Sequence, residues 1–121
     1  MCKVVHFEIP TNNPEKAIDF YSKVFGWKFN KWGEMDYWMT ESGKKDEMGI
    51  EGALTRKTGN NMNVVNTILV DDVDKALEDV KKYGGEVLTE IMPIPQVGRF
   101  FYFKDPDGNV HGALRGDTDM K

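Results

Sequence analysis

The chain has 121 residues, of which 40% are hydrophobic, 12% aromatic and 30% charged. This length and composition are typical of one globular domain and exclude a disordered chain. Sixteen basic and twenty acidic residues give a net charge of −4, so we expect no nucleic-acid partner. Short apolar runs predict no membrane contact. The single cysteine, Cys2, excludes an internal disulfide, and the segment after Met1 lacks the apolar stretch of a signal peptide, so the expected location is the cytoplasm.

An internal repeat is the most informative pattern in the chain. Three segments recur in the same order, 59 or 60 residues further on, which predicts two copies of one structural unit. We place these modules at about 3–57 and 63–116 within a single domain, 1–121. The matched segments are Val4-Val5 with Val64-Val65, Glu15-Lys16-Ala17-Ile18 with Asp74-Lys75-Ala76-Leu77, and Gly52-Ala53-Leu54 with Gly112-Ala113-Leu114.

The first module begins with a strand over residues 3–9, whose alternation places His6 and Glu8 on one face and apolar side chains on the other. Asn13 and Pro14 predict a helix start, and Gly26 predicts its end. Three further strands are predicted at residues 27–29, 37–40 and 49–55. The order of the first module is therefore βαβββ.

The second module repeats this order. A strand is predicted over residues 64–70, a helix over 73–83 that ends before Gly84-Gly85, and strands over 86–90, 99–104 and 109–115. The sequence Asp105-Pro106-Asp107-Gly108-Asn109 predicts a turn between the last two strands. The fold class predicted for the whole chain is α+β.

Two βαβββ modules in this order resemble the vicinal oxygen chelate superfamily, which contains glyoxalase I, extradiol dioxygenases, methylmalonyl-CoA epimerase and the bleomycin resistance proteins. The resemblance implies curled mixed sheets that enclose a cavity, a small-molecule ligand and a homodimer. The segments that carry it are His6-Phe7-Glu8-Ile9-Pro10, Ala17-Ile18-Asp19-Phe20-Tyr21, Phe25-Gly26-Trp27, Val70-Asp71-Asp72-Val73, Asp105-Pro106-Asp107-Gly108-Asn109-Val110 and, for a glyoxalase-related subgroup, Met92-Pro93-Ile94-Pro95-Gln96-Val97-Gly98.

Metal-dependent members of this superfamily take their ligands from the first and last strands of each module. Carried onto this chain, those positions are His6, Gly52, Asn66 and Gly112. Glycine has no ligand side chain and an asparagine amide is a poor zinc or iron ligand, whereas a catalytic zinc site normally has three protein ligands. We therefore expect no family metal site and no cofactor.

A second register gives a different result. In the last strands, aliphatic residues alternate with Glu51 in one module and His111 in the other, so burying the aliphatic side chains would turn both polar ones towards the cavity. His6, Glu51 and His111 would then provide two histidines and a carboxylate for a divalent metal. This alternative requires a one-residue slip in both modules.

The leading hypothesis for function is a small-molecule-binding protein of the glyoxalase/bleomycin-resistance type, with no catalytic residue assigned and enzyme activity left open. Its candidate cavity residues are His6, Glu8, Asn66, Trp38 and Tyr102. If Glu8 approaches His6, its charge is expected to raise the histidine pKa. The alternatives are a metal-dependent lyase, isomerase or dioxygenase related to lactoylglutathione lyase, and a structural or interaction protein whose cavity is filled by side chains.

Overall fold

A computed structural model of the chain describes residues 2–57 and 63–116. The chain divides into two compact units, one formed by His6–Val64 and the other by Met1–Val5 with Val65–Lys121. We call them the His6 unit and the His111 unit. No helix in the described ranges is long and apolar enough to cross a membrane.

The His6 unit contains one helix and a four-stranded mixed sheet. The elements are β1 (Val4–Thr11, whose first two residues belong to the His111 unit), α1 (Pro14–Phe25), β2 (Lys28–Lys31), β3 (Tyr37–Glu41) and β4 (Ala53–Arg56). The strand order in the sheet is β2-β3-β4-β1, with β1 and β4 parallel and the other pairs antiparallel.

Helix α1 begins and ends where its capping residues predict. The Asn13 side chain accepts a hydrogen bond from the Lys16 amide, and Gly26 ends the helix with φ of 73°, a conformation that costs glycine little. The Tyr21 ring stacks on Trp27 with centroids 5.0 Å apart, and Trp27 in turn lies 6.2 Å from Phe7 of β1. The Phe7 face of the sheet is therefore the face that α1 covers.

The His111 unit contains the second helix and a mixed sheet of five strands. The elements are β5 (Val65–Leu69), α2 (Val73–Lys82), β6 (Glu86–Val87), β7 (Met92–Ile94), β8 (Gly98–Lys104) and β9 (Val110–Gly116). The strand order is β5-β9-β8-β6, with β7 also paired to β8. Strands β5 and β9 are parallel, and the other pairs are antiparallel.

The core of the His111 unit lies between α2 and one face of its sheet. Val73, Phe101 and Ala113 are buried there, and Leu77 and Val80 of α2 pack against them. Because side chains alternate along a strand, the residues on either side of Phe101 and Ala113 lie on the opposite face of the sheet, away from α2.

The α+β fold class is confirmed, and so is the βαβββ order of the His6 unit. The His111 unit differs from its predicted order by one extra strand, β7, and by a much shorter β6 than the predicted 86–90. Proline lacks an amide donor, so Pro93 is a poor predictor of a strand, yet β7 tolerates it because its pairing partner is β8 alone. A turn joins β7 to β8, in which the Val97 amide donates to the Ile94 carbonyl.

Candidate ligand-binding site

The two faces of the His6 unit's sheet differ in chemistry. A side-chain carbon added to Gly52 would lie 2.5 Å from the Phe7 ring, so Gly52 and Phe7 share the face that α1 covers. His6 and Glu8 alternate with Phe7 and therefore lie on the opposite face, as predicted from their spacing. The candidate site lies on this face.

Three polar side chains of this face form a hydrogen-bonded chain. The His6 Nε2 atom lies 2.6 Å from the hydroxyl of Tyr37, and the two rings are stacked with an interplanar angle of 14°. Tyr37 also makes a side-chain hydrogen bond with Glu8. Strand register brings these residues together, since Tyr37 of β3 pairs with Thr55 of β4, which pairs with Pro10 two residues beyond Glu8 in β1. We call His6, Tyr37 and Glu8 the His6 cluster.

Burial and charge shift the pKa values in the His6 cluster. Burial lowers the pKa of His6 below 6.5, because it disfavours the imidazolium ion. Burial raises the pKa of Tyr37, and the charge of Glu8 and its hydrogen bond to the hydroxyl raise it further. The His6 pKa is therefore shifted in the direction opposite to the one predicted from a nearby Glu8, and the cause of the shift is burial.

Trp38, the aromatic residue of β3 that was predicted for the cavity, does not lie beside the His6 cluster. Trp38 pairs with Leu54, two residues from Gly52, so it lies on the α1 face rather than beside His6. Its neighbour Tyr37 faces His6, and Trp32 packs edge-on against Tyr37 with ring centroids 6.5 Å apart and 46% of its surface exposed. Adjacent aromatic residues in β3 indicate that one of them faces His6, but they do not indicate which.

Two candidates of the His111 unit, Asn66 and His111, lie on a different face from the one predicted. His111 pairs with Phe103, which shares the α2 face with Phe101, and the His111 and Phe103 rings lie 5.5 Å apart. Asn66 pairs with His111 across β5 and β9, so it shares this face. The predictions that Asn66 and His111 lie on the face away from the helix are therefore corrected.

The face away from α2 is lined mainly by apolar and hydroxyl side chains. Tyr102 lies there and packs edge-on against Phe100 at 4.6 Å, and a side-chain carbon on Gly112 would lie 2.5 Å from the Phe100 ring. Thr67 pairs with Gly112 and shares this face. These strand positions contribute no imidazole or carboxylate, so their chemistry differs from that of the His6 cluster.

Strand faces also correct the alignment of the two modules. His6 faces away from α1, and its equivalent facing away from α2 is Val65, 59 residues further on rather than 60. By the same spacing Gly112 corresponds to Ala53, and Gly52 corresponds to His111. The one-residue slip seen in the helix match therefore runs through the whole repeat.

The residues present do not fit the metal of the resembled superfamily. With the corrected alignment the four ligand positions become His6, Ala53, Val65 and Gly112, of which His6 alone has a ligand side chain. No group of three or more His, Cys, Asp or Glu residues within 2–57 and 63–116 is placed to hold a metal ion. A zinc or iron site needs about three protein ligands.

Glu51, the carboxylate of the alternative register, is bound within its own unit. Its carboxylate accepts hydrogen bonds from the Thr40 hydroxyl at 2.7 Å and from the Ser42 amide and hydroxyl at 2.7–3.0 Å. Partial burial raises the pKa of Glu51, but these hydrogen bonds outweigh it and leave the pKa below its usual value. With His111 on the α2 face, the ligand set His6, Glu51 and His111 is not supported.

Two open grooves lie apart from the His6 cluster. One, of about 440 Å³, lies between the end of β1 and the start of α1 and includes Ile9 and Phe20. The other, of about 520 Å³, lies beside α2 and includes Leu77 and Val87. Polar side chains also line both grooves, but neither lining includes a histidine, so the imidazole of the His6 cluster sets it apart.

Comparison with known proteins places the chain in a family. A family model described as the Glyoxalase/Bleomycin resistance protein/Dioxygenase superfamily matches residues 3–111, and the chain belongs to this superfamily. A glyoxylase-like domain-containing protein of Didymella fabae is 33% identical over 86% of both chains. A putative glyoxylase, CFP32, of Mycobacterium bovis is 28% identical over 89% of this chain, which spans only 42% of that relative.

Solved structures agree with this family at the level of the fold. A methylmalonyl-CoA epimerase of Streptomyces coelicolor superposes with a TM-score of 0.65 at 17% identity, covering 96% of this chain and 98% of the epimerase. A hypothetical protein of Bacillus halodurans superposes with a TM-score of 0.68 at 11% identity, covering 99% and 98%. The family resemblance drawn from the sequence is confirmed.

Proposed function

We propose that this superfamily member binds a small molecule at the His6 cluster and does so without the metal of its metal-dependent relatives. The observation that carries the proposal is the hydrogen-bonded chain of His6, Tyr37 and Glu8 on the sheet face away from α1. Small-molecule sites commonly combine a few convergent polar groups with apolar walls, and here Trp32 supplies an exposed aromatic surface beside the polar groups.

The chemistry of His6 supports a role other than metal binding. Its Nε2 atom is already bonded to the Tyr37 hydroxyl, and the other groups of the cluster are a phenol and one carboxylate. A Lewis-acid mechanism needs an ion held firmly enough to stabilise negative charge in the transition state. A single imidazole with one carboxylate falls short of the three ligands that such an ion normally has.

A homodimer remains part of this proposal. Phe20, Val24 and Phe25 of α1 are between 54% and 60% exposed, and this apolar surface is one that a second copy would cover.

The structural alternative, a protein whose cavity is filled by side chains, predicts no binding of small molecules at the His6 cluster. The metal-dependent alternative predicts stabilisation by a divalent ion.

Thermal unfolding with added metal tests the proposal. We expect nickel, zinc, manganese or iron(II) to leave the Tm of chelator-treated protein unchanged, in wild type and in His6→Ala alike. An ion present at a hundred times its Kd would add about 2.7 kcal/mol to the free energy of unfolding, so even moderate affinity would be visible.

The same measurement identifies the metal-dependent alternatives. A rise in Tm that His6→Ala abolishes would contradict the metal-free proposal. Loss of that rise in Glu51→Gln and His111→Ala as well would support the alternative ligand set. Trp38→Phe is the matched control, since it changes an aromatic side chain on the opposite face of the same sheet and is expected to leave any response to metal unchanged.

A further inference from the structure

We infer that the ligand of the His6 cluster is neutral or cationic and donates a hydrogen bond to His6 Nδ1. Tyr37 is then a positioning residue that fixes the tautomer of the histidine. This inference rests on the proposed function and deepens it by naming the chemical class of the ligand. It follows from the direction of the protons along the cluster, from its charge and from the aromatic surface beside it.

The direction of the hydrogen bonds is set by Glu8. An ionised carboxylate only accepts hydrogen bonds, so the Tyr37 hydroxyl donates its proton to Glu8. The Tyr37 oxygen then accepts from the atom 2.6 Å away, His6 Nε2, which must carry a proton. A neutral imidazole has one protonated nitrogen, so Nδ1 is left with a lone pair that can accept a hydrogen bond.

The charge of the cluster disfavours anions. With His6 neutral, the Glu8 carboxylate gives the cluster a negative charge. The two hydrogen-bond donors of the cluster are already engaged, because His6 Nε2–H donates to the Tyr37 oxygen and the Tyr37 hydroxyl donates to Glu8. A carboxylate or phosphate approaching Nδ1 would meet a lone pair and a like charge, both unfavourable. An alcohol or an ammonium group would donate to the same nitrogen, and a cation would also be attracted by Glu8.

Trp32 indicates that the ligand has an apolar body. Its ring packs edge-on against Tyr37 and is 46% exposed, so a planar or aliphatic group can lie against it while a donor group reaches His6. Indole rings also attract cations across their faces, which favours the cationic members of this class. Suitable probes therefore carry one ring and differ only in the charge of the attached group.

Nitrogen-15 NMR of the histidine rings tests the role of Tyr37 without any ligand. We expect His6 above pH 7 to show one tautomer, with Nε2 protonated and Nδ1 unprotonated, and Tyr37→Phe to give a mixture of both. Tyr21→Phe removes the hydroxyl of a tyrosine on α1 and is expected to leave the pattern unchanged. A protonated Nδ1 in wild type, or an unchanged pattern in Tyr37→Phe, would overturn the inference.

Three one-ring probes test the ligand class: benzyl alcohol, benzylammonium and benzoate. We expect the alcohol and the ammonium ion to shift the His6 Nδ1 resonance, with benzoate binding at least about tenfold more weakly because of the charge of Glu8. Glu8→Gln should narrow the difference in affinity between benzoate and the other two probes. If Tyr37→Phe does not fold, Glu8→Gln also tests the direction of the hydrogen bonds, because it should release the fixed tautomer of His6.

The outcomes separate the inference from the proposed function. Benzoate that binds His6 as tightly as benzyl alcohol would overturn the ligand class but leave a small-molecule site at the cluster. No shift of the His6 resonances with any of the three probes at millimolar concentration would overturn both, since the proposed site would then bind neither class.

Discussion

The two units share the order βαβββ apart from the additional strand β7 of the His111 unit, but they differ in which side chains lie on the sheet face away from the helix. In the His6 unit this face carries an imidazole, a phenol and a carboxylate in one hydrogen-bonded chain. In the His111 unit the corresponding face carries Phe100, Tyr102, Thr67 and Gly112. A repeated backbone therefore does not imply a repeated site, because the His111 unit has Val65 at the position that corresponds to His6.

The two histidines show the same difference. His6 Nε2 has a short hydrogen bond to a hydroxyl on the face of its sheet away from α1. The buried Nδ1 of His111 has no partner within the described residues, while its Nε2 lies 3.8 Å from Asp105 and its ring packs on Phe103. His6 therefore belongs to a polar cluster, whereas His111 packs against Phe103 on the α2 face, next to the turn that contains Asp105.

The largest expected effect comes from removing the core side chain of either unit. Phe101 in the His111 unit and Leu54 in the His6 unit are both 0% exposed. We expect Phe101→Ala to lower the free energy of unfolding by about 3–5 kcal/mol and Leu54→Ala by about 2–5 kcal/mol, through lost burial and the cavity left behind. Urea denaturation measures both.

Met48→Ala is the control for these core variants. Met48 is fully exposed and lies outside the α1 surface of the proposed homodimer, so its truncation should cost less than about 1 kcal/mol. A cost for Met48→Ala similar to that of Phe101→Ala would contradict the assignment of Phe101 and Leu54 as core side chains.

A smaller effect is expected where glycine permits close packing, and here the two units should differ. A side-chain carbon at Gly52 would lie 2.3 Å from the backbone oxygen of Phe7, whereas one at Gly112 would meet chiefly the Phe100 ring, at 2.5 Å. Backbone moves less readily than a ring, so Gly52→Ala should cost more than Gly112→Ala within the range of about 1–3 kcal/mol typical of overpacking.

Double variants provide the check on this pair. Phe100→Leu should relieve part of the cost of Gly112→Ala, because the ring is the obstacle there. Phe7→Leu should relieve less of the cost of Gly52→Ala, since the backbone oxygen remains. Equal costs and equal relief at the two positions would contradict the assignment of the glycines to opposite faces.

These glycines explain why the sequence predicted the elements well and the faces poorly. Helix caps and strand alternation act locally, so Asn13, Gly26 and the alternation of β1 define their elements without reference to the rest of the fold. Gly52 and Gly112 look equivalent because each precedes Ala-Leu, yet one lies under Phe7 and the other under Phe100, on opposite faces relative to the helix. Different packing requirements produced the same tripeptide.

The candidate site was predicted in part for the same reason. His6 and Glu8 follow from alternation in a single strand, which the sequence displays directly. Tyr37 belongs to β3, and its approach to His6 depends on a register that passes through β4, which no local pattern reveals. The prediction of Trp38 beside His6 is wrong by one residue, and one residue along a strand reverses the face on which a side chain lies.

The smallest expected effect is a pH dependence that belongs to the His6 unit. Burial lowers the pKa of His6 in the folded state below the unfolded value of 6.5. Between these two values the unfolded chain binds a proton that the native protein does not, so stability falls as the pH is lowered through this window and is unaffected by His6 above it. We expect urea denaturation between pH 8 and pH 5, where most carboxylates stay ionised, to show a steeper loss for wild type than for His6→Gln. Equal slopes, or a wild type that gains stability relative to His6→Gln on acidification, would mean that Glu8 rather than burial governs His6, and the cluster would then favour imidazolium.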